Sequence, residues 1–169
     1  MHTYVSGNKN IAQPTSEENH ELRIDVGDWD GNTHYAVYGI FSIGDASTKY
    51  ELSISYYSGN AGRYNEIFCG AKEEVLRLSL SQKTLCDGMS YFNGMKFTTY
   101  DQDNDKHSRG NCADYSTLKG GWWYNNCFIS TSAMLNGHYT HRNSTIQGIR
   151  YRTLGKISQK KSTMKILKV

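Results

Sequence analysis

From Glu21 to Val26 polar and apolar residues alternate one for one, the period of a strand with one buried face. Asp28-Trp-Asp-Gly-Asn32 then supplies turn chemistry, and Thr33 to Ile43 resumes as a run rich in β-branched and aromatic residues, so the two segments predict a hairpin. Lys49 to Tyr57 places Tyr50, Leu52, Ile54 and Tyr56 on one face, a third strand broken by Ser58-Gly-Asn-Ala-Gly62. Between residues 63 and 87 the period is ambiguous. Val75, Leu76 and Leu80 suit one helical face, while Leu76, Leu78 and Leu80 also fit a strand, and a short amphipathic element is expected. Residues 1 to 19 show no sustained period and hold the only proline, Pro14, which predicts loop with room for one helical turn. The tail from Ile149 to Val169 alternates again through Ile149, Tyr151, Ile157, Met164 and Ile166.

A chain of 169 residues with 37% hydrophobic residues and a formal net charge of +3 can bury one sizeable core in one domain. That balance excludes a disordered chain, and no apolar run approaches the ~18–20 residues of a spanning helix. The tail carries seven Lys and Arg and no acid. An anionic partner would account for it, but a solvated strand face does so more simply, and no nucleic-acid partner is expected. The start, MHTYVSGNKNIAQ, lacks the basic, apolar and small-residue segments of a secretory signal. The four cysteines point the other way, to bridges in an oxidising compartment, since neither C-x-x-C nor a suitably spaced His suggests zinc. Four cysteines allow more than one pairing.

Neither G-x-S-x-G, H-E-x-x-H nor a glycine-rich phosphate loop is present, and the six histidines are scattered among polar neighbours. A binding protein is expected rather than an enzyme. The chemistry concentrates between Tyr100 and Phe128. Asp101, Asp103 and Asp105 alternate in a loop rich in Asn and Gly, the short hard-oxygen donors that calcium takes. An EF-hand is excluded, because counting from Asp101 its required Gly and Glu positions hold Lys106 and Cys112. Asn143-Ser144-Thr145 is a glycan-acceptor sequon.

Tandem Trp122 and Trp123 behind paired glycines, between Cys112 and Cys127, resemble the fibrinogen C-terminal domain family, which includes ficolins and tachylectin-type lectins. The resemblance continues through Glu21 to Asn32, Tyr91 to Phe97, Leu135-Asn-Gly137, Gly148-Ile149 and Met164-Lys-Ile166. It implies an α+β fold, with a central twisted antiparallel sheet, short helices and a loop-rich calcium- and ligand-binding subdomain. Within one domain over 1–169, lacking the family's N-terminal segment, about 20–85 would be sheet-rich and about 86–160 would bind calcium and ligand. Residues 161–169 would return as a strand to the sheet.

The resemblance further implies a secreted, calcium-dependent recognition protein for acetylated or related glycans, as in innate immune recognition. The alternative is an adhesion or signalling head that binds a protein, with oligomers formed through regions outside this chain. Asp103 and Asp105 would give carboxylates to calcium, and His107 and Arg109 would give backbone carbonyls. Asp101 would stand outside the shell or bind through water. The ligand pocket would involve Asn126, Cys127, Phe128, Tyr115, Leu118 and Ile157, with a cis peptide between Asn126 and Cys127. Pairings Cys112 with Cys127 and Cys69 with Cys86 are expected, with Asn143 glycosylated. Three positions leave the family pattern: Phe128 stands where His is usual, and Ile157 and Leu118 stand where Tyr is usual, with Tyr115 placed to substitute for the latter.

Overall fold

The computed structural model describes residues 7–62, 87–115, 120–129, 132–137, 142, 148–155 and 157–169. Its elements are α1 (Asn8–Glu17), β1 (His20–Gly27), β2 (Thr33–Ile43), β3 (Leu52–Gly59), β4 (Ala133–Met134), β5 (Arg150–Tyr151) and β6 (Lys161–Lys168). The strands β3-β2-β1-β6 form one antiparallel sheet, and β4 with β5 forms a small second one. The ambiguous segment around Lys72 to Leu80 lies outside the described residues, as do Cys69 and Cys86.

The hairpin forms where the alternation predicts it. Leu22, Ile24 and Val26 of β1 are buried, with Ala36 and Tyr38 on the same face of β2. Asp28 closes the turn: its Oδ1 accepts from Asp30 N and Asn32 N at 2.9 and 2.8 Å, while Gly31 takes a φ of +93°. On its other side β1 pairs with β6, from His20 opposite Lys168 to Gly27 opposite Lys161. Met164 and Ile166, opposite Ile24 and Leu22, lie on the core-facing side of this edge strand, yet each is 36% exposed.

The third strand departs from a single alternation. Tyr38 pairs with Tyr57 and Phe41 with Ile54, so the inward face changes phase over the same rungs of both strands. The switch lies at Gly39 and Tyr56, where Tyr56 adopts a φ of +57° and is 75% exposed. The expectation that Tyr50 and Tyr56 share the inner face of Leu52 and Ile54 is therefore corrected. Tyr50 precedes the strand in a left-handed conformation, and its carbonyl accepts from Trp123 Nε1 at 2.8 Å.

The N-terminal expectation is also corrected, because residues 8–17 form a ten-residue helix with Pro14 inside it. An interior proline costs about 3 kcal/mol and removes a hydrogen bond. Packing of Ala12 and Thr15 against the sheet offsets this, and Thr15 Oγ1 accepts from Ile43 N at 3.3 Å. No helix among the described residues is long and apolar enough to cross a membrane.

Candidate functional site

Beyond the sheet the described residues form little regular structure, and side chains hold the backbone in place. Trp122 is buried, with its ring centroid 6.0 Å from Phe92 and 5.5 Å from Trp123, which lies 5.1 Å from Phe97. Gly121 lets this strip pass close to Phe97, since an added Cβ would lie 2.7 Å from that ring. Thr98 and Trp122 exchange backbone hydrogen bonds at 2.9 and 3.1 Å, anchoring the start of the acidic loop. Asn104 Nδ2 donates to Phe97 O at 2.7 Å and Asn111 Nδ2 donates to Thr99 O at 2.8 Å. Two asparagines thus replace a backbone ladder on either side of Asp105.

Asp105 sits at the centre. Its Oδ1 accepts from His107 N and its Oδ2 from Cys112 N, both at 2.8 Å. Burial raises the Asp105 carboxyl above the usual range, and the neighbouring Asp103 carboxylate adds to the rise against the pull of the two N–H donors. Two close carboxylates, one of them partly desolvated, repel each other, and a cation between them would relieve that repulsion. Among the described residues no three His, Cys, Asp or Glu side chains converge on a metal-sized site. Carbonyls would therefore have to complete a shell, and those of His107 and Arg109 accept no hydrogen bond among the described residues. This oxygen set fits calcium; Asp101 is exposed at the rim of the loop.

Three links join the acidic loop to the Cys127 loop. Lys106 N donates to Asn125 O at 2.9 Å. A disulfide joins Cys112 to Cys127, with the Cα atoms 5.2 Å apart. His107 bridges the rest: Nδ1 is 2.7 Å from Asn126 Oδ1 and Nε2 is 2.6 Å from the Tyr115 hydroxyl. Since the Asn126 oxygen can only accept, Nδ1 carries the proton and Nε2 accepts from Tyr115. Sequence reasoning assigned His107 a carbonyl and missed this side-chain role, which joins residues 8 and 19 positions away in loops without period.

The expected cis bond between Asn126 and Cys127 is corrected. The described residues contain no cis peptide, and the loop reverses through Cys127, whose φ is +51°. A left-handed residue turns the chain at lower cost than a non-proline cis bond. Cys127 is buried and pairs with Asn125 as an isolated bridge, while the N–H of half-buried Phe128 donates no hydrogen bond among the described residues. Backbone N–H groups are ordinarily paired, so the Phe128 N–H beside Cys127 marks a place where an acceptor can dock.

The structure thus gathers Asp103, Asp105, His107, Tyr115, Asn126, Cys127 and Phe128 around one corner. Ile157 is exposed in the turn before β6, and no hydrogen bond ties it to that corner. Leu118 and Asn143 lie outside the described residues. A site that sequence reasoning missed is Arg150, read as part of a solvated basic tail. It is only 2% exposed, with its guanidinium carbon 4.9 Å from the centroid of the Phe128 ring. The only hint was a cation in the apolar run Ile149-Arg150-Tyr151.

A four-stranded antiparallel sheet carrying a loop-built, disulfide-closed acidic site is the architecture of a fibrinogen-like globe. The family model for the fibrinogen beta and gamma chains, C-terminal globular domain, matches residues 1–168, and the chain belongs to that family. It is 38% identical over 134 residues to fibrinogen-like protein A of Apostichopus parvimensis, covering 79% of this chain and 38% of that protein. The fibrinogen-like globe domain of human ANGPTL2 superposes with a TM-score of 0.71 at 33% identity, over 96% of this chain and 64% of that one. A lamprey fibrin D-dimer, complexed with the peptide ligand Gly-His-Arg-Pro-amide, superposes with a TM-score of 0.71 at 30% identity, over 96% of this chain and 49% of that one. The chain thus spans less than two thirds of these relatives, 38% of the curated one.

Proposed function

We propose that the chain is an extracellular, calcium-dependent recognition head of the lectin kind, taking acetylated groups at the Cys127 loop. The observation that carries this reading is the unused N–H donor of Phe128, next to Cys127 in a loop held beside the acidic loop by the disulfide and by His107. An acetyl oxygen accepts from such a backbone donor regardless of the neighbouring side chains. Asp103 and Asp105, with the His107 and Arg109 carbonyls, would hold the calcium. Its chemistry there is to neutralise the two carboxylates and so fix the loop that carries His107 and Cys112.

A side-chain hydroxyl at position 157 would add a grip on the amide nitrogen, and Ile157 has none. A neutral hydrogen bond of this kind contributes ~0.5–1.5 kcal/mol, so N-acetylated sugars should bind about tenfold more weakly than to a pocket with the full aromatic set. Titration of N-acetylglucosamine and of acetate, followed by ligand-observed NMR with Ile157→Tyr alongside, tests this. Weak calcium-dependent binding that strengthens in the variant supports the reading; tight binding by the unmodified chain, or no gain from tyrosine, means the pocket lies elsewhere.

A second reading, an adhesion or signalling head for a protein partner, is favoured by the structural neighbour that carries a peptide. It predicts a larger patch with aromatic anchors, insensitivity to acetylated sugars and no response to Ile157→Tyr.

A further inference from the structure

Arg150 and Arg152 stand two residues apart at the end of the small sheet, and the Nε of each is buried without a hydrogen-bond partner. The ion pairs of the described residues are Arg23 and Lys165 with Asp25, Arg142 with Asp30, and Lys168 with Glu18, so neither arginine is matched by a carboxylate there. Two close cations with little water between them repel, and buried charges are ordinarily paired. Phe128, half-buried and next to Cys127 in the chain, stacks against the Arg150 guanidinium. The planar group thus lies against an aromatic wall at the edge of the Cys127 loop, a setting suited to a flat, bidentate anion.

We propose that Arg150, walled by Phe128, and Arg152 form an anion subsite beside the Cys127 loop, and that the ligand of this head carries a carboxylate next to its acetamido group. The acetamido half rests on the lectin reading above; the carboxylate half stands on the two arginines alone. Burial, and next the charge of Arg152, push the Arg150 guanidinium down to about 10, so it remains a cation at neutral pH. A carboxylate relieves both the desolvation and the repulsion. Phe128 gains a role from this: its phenyl ring presents its negative face to the Arg150 guanidinium.

The test compares N-acetylglucosamine with N-acetylmuramic acid, which keeps the same ring and acetamido group and adds a carboxylate. Both are titrated into the calcium-loaded chain, while the arginine Nε–Hε signals are followed by proton–nitrogen NMR. Arg150→Gln assigns its own signal, and Arg152→Gln, at a half-buried position, serves as the second variant if the first does not fold. The acid should bind about tenfold more tightly than the neutral sugar, from charge-assisted hydrogen bonds. Free acetate should shift both Nε–Hε signals, and either variant should collapse the preference for the acid. Equal affinity for the two sugars, with arginine signals that do not move, overturns the subsite while leaving the lectin reading intact. Arginine shifts with acetate, but no binding of either sugar, keep the subsite and remove the lectin reading.

Discussion

In the sheet, Leu22, Ile24 and Val26 are fixed by backbone ladders on both sides of β1, and their burial follows from alternation alone. Between Met89 and Cys127 the same task falls to Asn104, Asn111, Asp105 and the Trp pair, each making a specific contact with a remote backbone or ring. The sheet therefore depends mainly on a period, broken at the Gly39 and Tyr56 rung. The loop half tolerates little change at a few named side chains, and in return it can shape a site that no ladder could form.

The largest expected effect is at Trp122. Trp122→Ala should cost about 3–5 kcal/mol by urea denaturation, whereas Ile24→Val in the sheet should cost about 0.5–1.5 kcal/mol. If the two regions are held as described, hydrogen exchange in the variant should accelerate first in residues 97–128 while β1 and β2 amides stay protected. Uniform acceleration across both regions would show that they unfold as one unit.

Next is the bridge whose half-cystines lie 15 residues apart. Replacing Cys112 and Cys127 together by Ser should cost about 3 kcal/mol, mainly by freeing the unfolded chain. It should also abolish sugar binding even at temperatures where the variant is folded. Retained binding would mean that the Cys127 loop does not depend on this link.

The strand ladder makes the legibility of the sequence plain. The hairpin of β1 and β2 could be read because its signal is local and periodic. The phase change at Gly39 and Tyr56 could not, because it needs both strands to bend at one rung. Residues 8–17 were misread because Pro14 argues against a helix locally, while the burial of Ala12 and Thr15 that stabilises it is tertiary. At the site, the aspartates, the cysteines and the Trp pair were legible as motifs. The bridge from Tyr115 through His107 to Asn126 was not, nor was the buried Arg150, because in each case a polar side chain finds its place only once distant loops meet.

A small effect lies at the junction of β1 and β6. Lys165 Nζ first, and then Arg23 Nε, lie 2.7 and 2.9 Å from the Asp25 carboxylate and hold its carboxyl below the usual range. A lowered folded-state value means that this contribution is present above the ordinary Asp range and is lost as pH falls through the lowered one. For partly exposed pairs it should be at most about 1 kcal/mol. Asp25→Asn should flatten that part of the stability profile below about pH 4, and an unchanged acid limb would assign the loss to other carboxylates.

The acidic loop admits the most direct measurement, thermal unfolding of the chain with calcium and with chelator, beside the variant Asp103→Ala. A cation bound only by the folded state stabilises it by mass action. Calcium should raise the Tm of the parent chain and strengthen protection of the Cys127 loop amides, and Asp103→Ala should remove both responses. Superimposable melting curves with calcium and with chelator, or an undiminished calcium response in Asp103→Ala, would contradict a calcium-organised recognition site.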